Sequence, residues 1–135
     1  MIVDSSAIVA IAQDEAEAGP FALLLEDTSD VRVSAATVVE ASIVLGRIGQ
    51  QFLDSWLAST RTTVTPVDAE QARVARRAYL DYGKGSGSPA RLNFGDCFSY
   101  ALAKVTGRPL LFKGDDFAHT DITPAYLRGE STDRR

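Results

Sequence analysis

Apolar residues recur along the chain in two rhythms, short continuous runs and longer stretches spaced by three and four, and these predict strands alternating with helices. Met1-Ile2-Val3 is a short buried strand that stops at Asp4. Ser5 and Ser6 are good helix initiators, and a short helix follows over 7–13. A second helix covers 16–26 and ends before the polar Asp27-Thr28-Ser29-Asp30. Val31-Arg32-Val33-Ser34 alternates as a strand does. Thr37 opens the next helix, which reaches Ile48 and is closed by Gly49. A further helical stretch over 51–59 carries Phe52, Trp56 and Leu57 on one side, as core or as a dimer surface.

The β-branched segment 62–67 predicts a third strand. Asp68 caps a helix over 69–82 that stops at Gly83, and Lys84-Gly85-Ser86-Gly87-Ser88-Pro89 is a loop. Asn93 starts a helix that extends to Val105, with Gly107 as its stop. Pro109-Leu110-Leu111-Phe112 is the last strand, broken by Lys113-Gly114-Asp115-Asp116. Short, nearly all-apolar strands between helices predict an α/β domain. Its sheet is short and mostly parallel, with helices on both faces. In such sheets ligands collect at the carboxyl ends of the strands.

That rule gives the acidic residues their interest. Asp4 follows the first strand, and Glu40 is expected in the first turn of the helix after the second. Asp96 lies in the first turn of the helix opened at Asn93, and Asp115 and Asp116 follow the last strand. A parallel sheet puts all of them on one edge. Each also has a plain structural role open to it. Thr37-Val38-Val39-Glu40 and Asn93-Phe94-Gly95-Asp96 have capping-box spacing, and Asp115-Asp116 suits a tight turn. As a set they mean more. Carboxylates within a few ångströms repel one another unless protons or cations neutralise them. Oxygen ligands without a Cys or His cluster suit a hard ion such as Mg²⁺ or Mn²⁺, and such sites favour hydrolysis of phosphate esters.

Composition narrows the field further. The chain has 135 residues, 45% of them hydrophobic, which suits one compact domain that needs no staples. Its single cysteine, Cys97, forms neither an internal disulfide nor a zinc site, and is expected to be a small buried hydrophobe. There is no apolar run of the ~18 residues that a membrane span needs, nor a secretory leader, so a cytoplasmic protein is expected. The net charge of −4, from 14 Lys+Arg against 18 Asp+Glu, counts mildly against a nucleic-acid partner held by the overall field. Arg73, Arg76 and Arg77, with Lys84 and Arg91 soon after, form either a phosphate-binding strip or an ordinary solvated face. The lone His119 has no placed nucleophile and is expected at the surface. The glycine-rich loop lacks the Gly-Lys-Ser/Thr ending of a phosphate-binding P-loop.

Four of these segments together resemble a PIN-domain protein, specifically a ribonuclease toxin of the VapC family. They are Met1-Ile2-Val3-Asp4-Ser5-Ser6-Ala7, Val39-Glu40, Leu92-Asn93-Phe94-Gly95-Asp96-Cys97, and Leu110-Leu111-Phe112-Lys113-Gly114-Asp115-Asp116-Phe117 followed by Thr120-Asp121-Ile122. The resemblance spans nearly the whole chain. It implies one PIN-like domain over 1–127 and a polar tail over 128–135, expected to be disordered. It also implies a Mg²⁺- or Mn²⁺-dependent endoribonuclease, often acting on a structured RNA such as tRNA. Homodimers, inhibition by a VapB-type antitoxin and promoter DNA contacted only through that antitoxin complete the expectation.

Carried over by position, Asp4 and Asp96 are metal ligands, and Glu40 either ligates or positions the attacking water. Asp115 stands where Asn is common, so the fourth acid maps to Asp116, with Asp115 as a further contributor. Ser6 matches a hydroxyl position near the site, to bind a water or to serve only in the first helical turn. Two rivals follow from the same residues. A phosphatase with a nucleophilic Asp4 lacks the second acid that one such fold needs, and a non-catalytic PIN-like module would bind RNA or protein without cutting.

Overall fold

The computed structural model describes residues 1–127, and the tail expected over 128–135 lies outside them. Four parallel strands form the sheet: β1 (Ile2–Val3), β2 (Arg32–Ser34), β3 (Thr63–Thr65) and β4 (Leu110–Leu111), in the order β3-β2-β1-β4. Among the described residues six α-helices flank it: α1 (Ser5–Ala12), α2 (Ala18–Glu26), α3 (Ala35–Leu45), α4 (Gln50–Ser59), α5 (Ala69–Tyr82) and α6 (Phe94–Thr106). The expected α/β class with helices on both faces is what the chain forms.

Alternation along the strands builds two cores. Val3, Val33 and Leu111 turn to one face and pack with Ile8, Phe21, Leu53 and Trp56 from α1, α2 and α4. Ile2 and Leu110 turn to the other and pack with Ala78, Tyr100 and Leu102 from α5 and α6. Phe52 and Leu57 lie against the first core beside Trp56, so that aromatic side of α4 is core. β3 is one of the two edge strands, and its Val64 is exposed.

Of the boundaries that differ from the sequence expectation, three have a clear local reason. α1 opens at Ser5, because the Asp4 side chain itself caps it by accepting from the Ser6 N–H. α3 opens at Ala35 with Ser34 as its cap, so strand passes into helix without a loop, and Thr37 is already inside. Gly46, at φ 69°, ends α3 where Gly49 was expected, and a 3-10 turn over Arg47–Gly49 leads into α4. The left-handed backbone at Gly46 is the reason the helix stops there.

The order β3-β2-β1-β4 places the reversal of strand order between β1 and β4. At their carboxyl ends the Asp4 N–H donates to the Leu111 carbonyl at 2.9 Å, which fixes where both chains leave the sheet. The functional candidates gather at this reversal.

Candidate active site

Asp4 is 1% exposed and held by three donors. Its Oδ2 accepts from the Ser6 N–H at 3.1 Å and the Ser6 hydroxyl at 2.7 Å, and its Oδ1 accepts from the Ser99 hydroxyl at 2.6 Å. Ser6 reaches further, since its Oγ accepts from the Lys113 N–H at 3.0 Å and ties the turn after β4 to the acid. The Lys113 side chain goes elsewhere, to ion pairs with Glu15 and Glu17.

Glu40 is half-buried in the second turn of α3, not the first, because that helix begins earlier than Thr37. The capping box expected between Thr37 and Glu40 is therefore not what holds this carboxylate. Its Oε1 accepts from the Ser5 hydroxyl at 2.5 Å. Its other oxygen lies over Gly95, so close that a Cβ there would overlap the carboxylate. Burial pushes the Glu40 carboxyl above its ordinary value, against the Ser5 hydrogen bond and with the help of Asp4.

Asp96 does form the expected capping box: Asn93 Oδ1 accepts from the Asp96 N–H at 2.9 Å, and Asp96 Oδ2 accepts from the Asn93 N–H at 3.0 Å. The cap does not exhaust its part in the site. Burial above all pushes its carboxyl up to about 7, despite the Asn93 N–H, and Asp4, Glu40 and Asp116 each push it further. Asp116 is exposed and opens a 3-10 turn over Asp116–His119. Asp115 lines a cleft of about 390 Å³ with Phe21, Phe112 and Tyr126. Of the two turn acids, the field at Asp96 registers Asp116.

Asp4, Glu40 and Asp96 thus come from three elements to one place, with Asp116 at its rim. Among the described residues no three His, Cys, Asp or Glu side chains stand in a geometry that would grip an ion as placed. The donor set fits a hard divalent cation by chemistry, since it is all oxygen and two of its members, Glu40 and Asp96, hold their protons more tightly than free acids.

The basic residues belong to α5 and to the loop that follows it. Arg73, Arg76 and Arg77 are exposed on α5, where Arg77 pairs with Asp81 at 3.1 Å. Arg76 lines a groove between α5 and α6 with Leu80, Phe94 and Phe98. Lys84 and Arg91 are exposed at the two ends of the glycine-rich loop. That loop is laced by its own serines: Ser86 Oγ donates to the Gly83 carbonyl at 2.6 Å and accepts from the Ser88 N–H at 3.1 Å. Cys97 is buried, and burial pushes its thiol up to about 11, so it is inert packing at neutral pH. His119 is exposed, as expected.

Four residues of the site escaped the sequence expectation: Ser5, Thr37 in its observed role, Gly95 and Ser99. A signal existed for two of them. Thr37 lies three residues before Glu40 and Ser99 three after Asp96, spacings that put each hydroxyl on the helix face of its acid.

Comparison with known proteins bears on this geometry. The sequence model described as "PIN domain" matches residues 1–122. Ribonuclease VapC42 of Mycobacterium tuberculosis is 53% identical over 129 residues, covering 93% of this chain and 98% of that protein. Ribonuclease VapC28 of the same organism is 48% identical over 132 residues, covering 95% and 99%. The chain belongs to the PIN-domain family, within its branch of VapC ribonucleases. Solved structures agree on the fold. The sarcin–ricin-loop-cleaving toxin VapC20 of Mycobacterium tuberculosis superposes with a TM-score of 0.70 at 19% identity, covering 90% of this chain and 95% of that one. A toxin–antitoxin complex from Klebsiella pneumoniae gives 0.69 at 17%, covering 93% and 97%.

Proposed function

We propose that this VapC ribonuclease is an endoribonuclease that hydrolyses a structured RNA, such as tRNA, with the help of Mg²⁺ or Mn²⁺. Asp4 and Asp96 would hold the ion, with Glu40 and Asp116 as direct or water-mediated partners and Asp115 as a further contributor. When bound, the cation supplies a polarised water and offsets charge growing on the phosphodiester. The chain's own residues do the rest. Asp4 and Asp96 present carboxylate oxygens from rigid helix starts, and Glu40, fixed by Ser5, is placed to orient the attacking water. Ser6 holds the Asp4 carboxylate and the turn that carries Asp116.

The observation that carries this reading is the convergence of three acids at one edge of the sheet, where burial above all, and Asp4, Glu40 and Asp116 after it, raise the Asp96 carboxyl to about 7. Shifts that combine burial with neighbouring charges cluster at functional sites.

The relatives named as VapC ribonucleases support a toxin role with a VapB-type antitoxin, which alone would contact promoter DNA. A cytoplasmic setting follows from an RNA substrate of that kind. No helix among the described residues is long and apolar enough to cross a membrane. The groove between α5 and α6 supports a homodimer, because Leu80 at 69% and Phe94 at 78% exposure lie on it. Arg73, Arg76, Arg77, Lys84 and Arg91 are the cations available for the RNA backbone.

The test is cleavage by purified protein with and without divalent ions, beside the Asp96→Asn variant. Cleavage should require Mg²⁺ or Mn²⁺, and Asp96→Asn should abolish it, together with growth arrest on expression, while circular dichroism shows an intact fold. Cutting without metal, or a fully active Asp96→Asn protein, would defeat the proposal. RNA binding without cutting under every metal would favour a non-catalytic module instead.

A further inference from the structure

Ser99 and Thr37 form a hydroxyl pair that the proposed chemistry does not itself use. Ser99 is 0% exposed and Thr37 1% exposed, so no water competes for either. The Ser99 hydroxyl donates to Asp4 Oδ1 at 2.6 Å, and its oxygen lies 3.1 Å from Thr37 Oγ1. A serine hydroxyl has one proton, and an ionised carboxylate only accepts. Ser99 gives that proton to Asp4, so the second bond must run from Thr37 to Ser99. The chain has one direction: Thr37 to Ser99 to Asp4.

Its anchoring points matter as much as its direction. Thr37 is on α3, one turn before Glu40, and Ser99 is on α6, one turn after Asp96. Asp4 is the cap of α1. The two links therefore join the three elements that carry the three acids. An ionised carboxylate offers about four acceptor sites. Ser99, the Ser6 N–H and the Ser6 hydroxyl occupy three of those on Asp4. One remains.

We infer that Thr37 and Ser99 are positioning residues, a one-way hydroxyl chain that holds the Asp4 carboxylate with a single lone pair free for a divalent cation and sets its spacing to Glu40 and Asp96. This rests on the metal-dependent reading above. Groups that orient a metal ligand from behind commonly change metal affinity by about tenfold or more when removed. A bond that merely satisfied a buried acid would change stability alone.

The experiment uses the full chain, stripped of metal and titrated with Mn²⁺ by calorimetry. Thermal melting without metal and RNA cleavage at saturating Mn²⁺ are measured alongside. Thr37→Val keeps the shape and removes the donor, whereas Thr37→Ser keeps the donor. Thr37→Val should weaken Mn²⁺ binding severalfold and Ser99→Ala about tenfold or more, with kcat falling and KM for RNA unchanged. Thr37→Ser should bind as the wild type does. If Ser99→Ala fails to fold, the isosteric Thr37 pair decides. Wild-type Mn²⁺ affinity and kcat in Thr37→Val and in any folded Ser99→Ala, with only melting lowered, would overturn the inference and leave the nuclease reading standing. A wild-type protein that neither binds Mn²⁺ nor cleaves with it would overturn both.

Discussion

At Asp96 a single carboxylate closes a helix cap and faces other acids, and its protonation follows from that placement. Burial comes first in raising its carboxyl to about 7, and the Asn93 N–H only partly opposes this. An unfolded Asp side chain loses its proton near a pH of about 3.9. Between that value and about 7 the folded protein binds more protons than the unfolded chain, so stability falls as pH rises through the window. Above it the loss is complete and the curve is flat with respect to this group. Asparagine keeps the oxygen that the cap needs and cannot ionise. Asp96→Asn should therefore be more stable than wild type at pH 8 without metal, and the two should converge toward pH 4. Urea denaturation of both proteins across that range measures the difference. A constant gap, or a wild type that gains on the variant as pH rises, would contradict the placement of Asp96 among acids. Added Mn²⁺ should narrow the gap at pH 8, since an ion replaces the proton there.

Where α3 meets α6, a helix start has been shaped around a side chain from another helix. Gly95 is in the first turn of α6, where its position demands no unusual backbone, and alanine there would by itself favour the helix by up to about 1 kcal/mol. Space, not conformation, calls for glycine: a Cβ at this point would overlap the Glu40 carboxylate. That carboxylate is the far end of a flexible side chain, so it would swing away and lose its bond from Ser5. Gly95→Ala should thus keep or slightly raise the melting temperature while RNA cleavage drops by about tenfold or more, the usual scale for misplacing a positioned group. Cleavage at the wild-type rate would mean that Glu40 works equally well from elsewhere.

Elements differed in how openly the sequence declared them. α5 is bounded as expected because Asp68 and Gly83 act on their own neighbours. The start of α3 was hidden because β2 runs directly into it, so that Ser34 is at once the last residue of the strand and the cap of the helix. The Thr37 hydroxyl, expected at the cap, instead engages Ser99, 62 residues away. The acids themselves were legible because a parallel sheet sends its carboxyl ends to one edge. Of the hydroxyls that hold them Ser6 was legible, two residues from Asp4, whereas Ser5 and Ser99 act across elements that only the folded chain brings together.

Across the whole molecule, charge and apolar surface pull toward the same arrangement. An acidic chain with its carboxylates gathered on one edge needs its cations placed deliberately if it is to hold RNA, and α5 carries three exposed arginines. Beside Arg76 the groove to α6 exposes Leu80, Tyr79 and Phe94 side by side, an apolar surface that a second copy could cover. An isologous contact would cover that groove with its own copy and bring the α5 arginines of both copies to one seam. Leu80 is well exposed in the isolated chain, so a charge there costs the fold about 0.5 kcal/mol or less. Two copies of that charge in a shared apolar seam would cost far more, because each would lose water without gaining a partner. Leu80→Glu should therefore sediment as a monomer at concentrations where the wild type is a dimer, with its melting curve little changed when both are dilute. A wild type that stays monomeric at high concentration would remove the groove from consideration as a self-contact. A dimer that survives Leu80→Glu would move the contact to another face, for which the exposed Ile43 and Ile48 in and just after α3 are the next apolar surface to test.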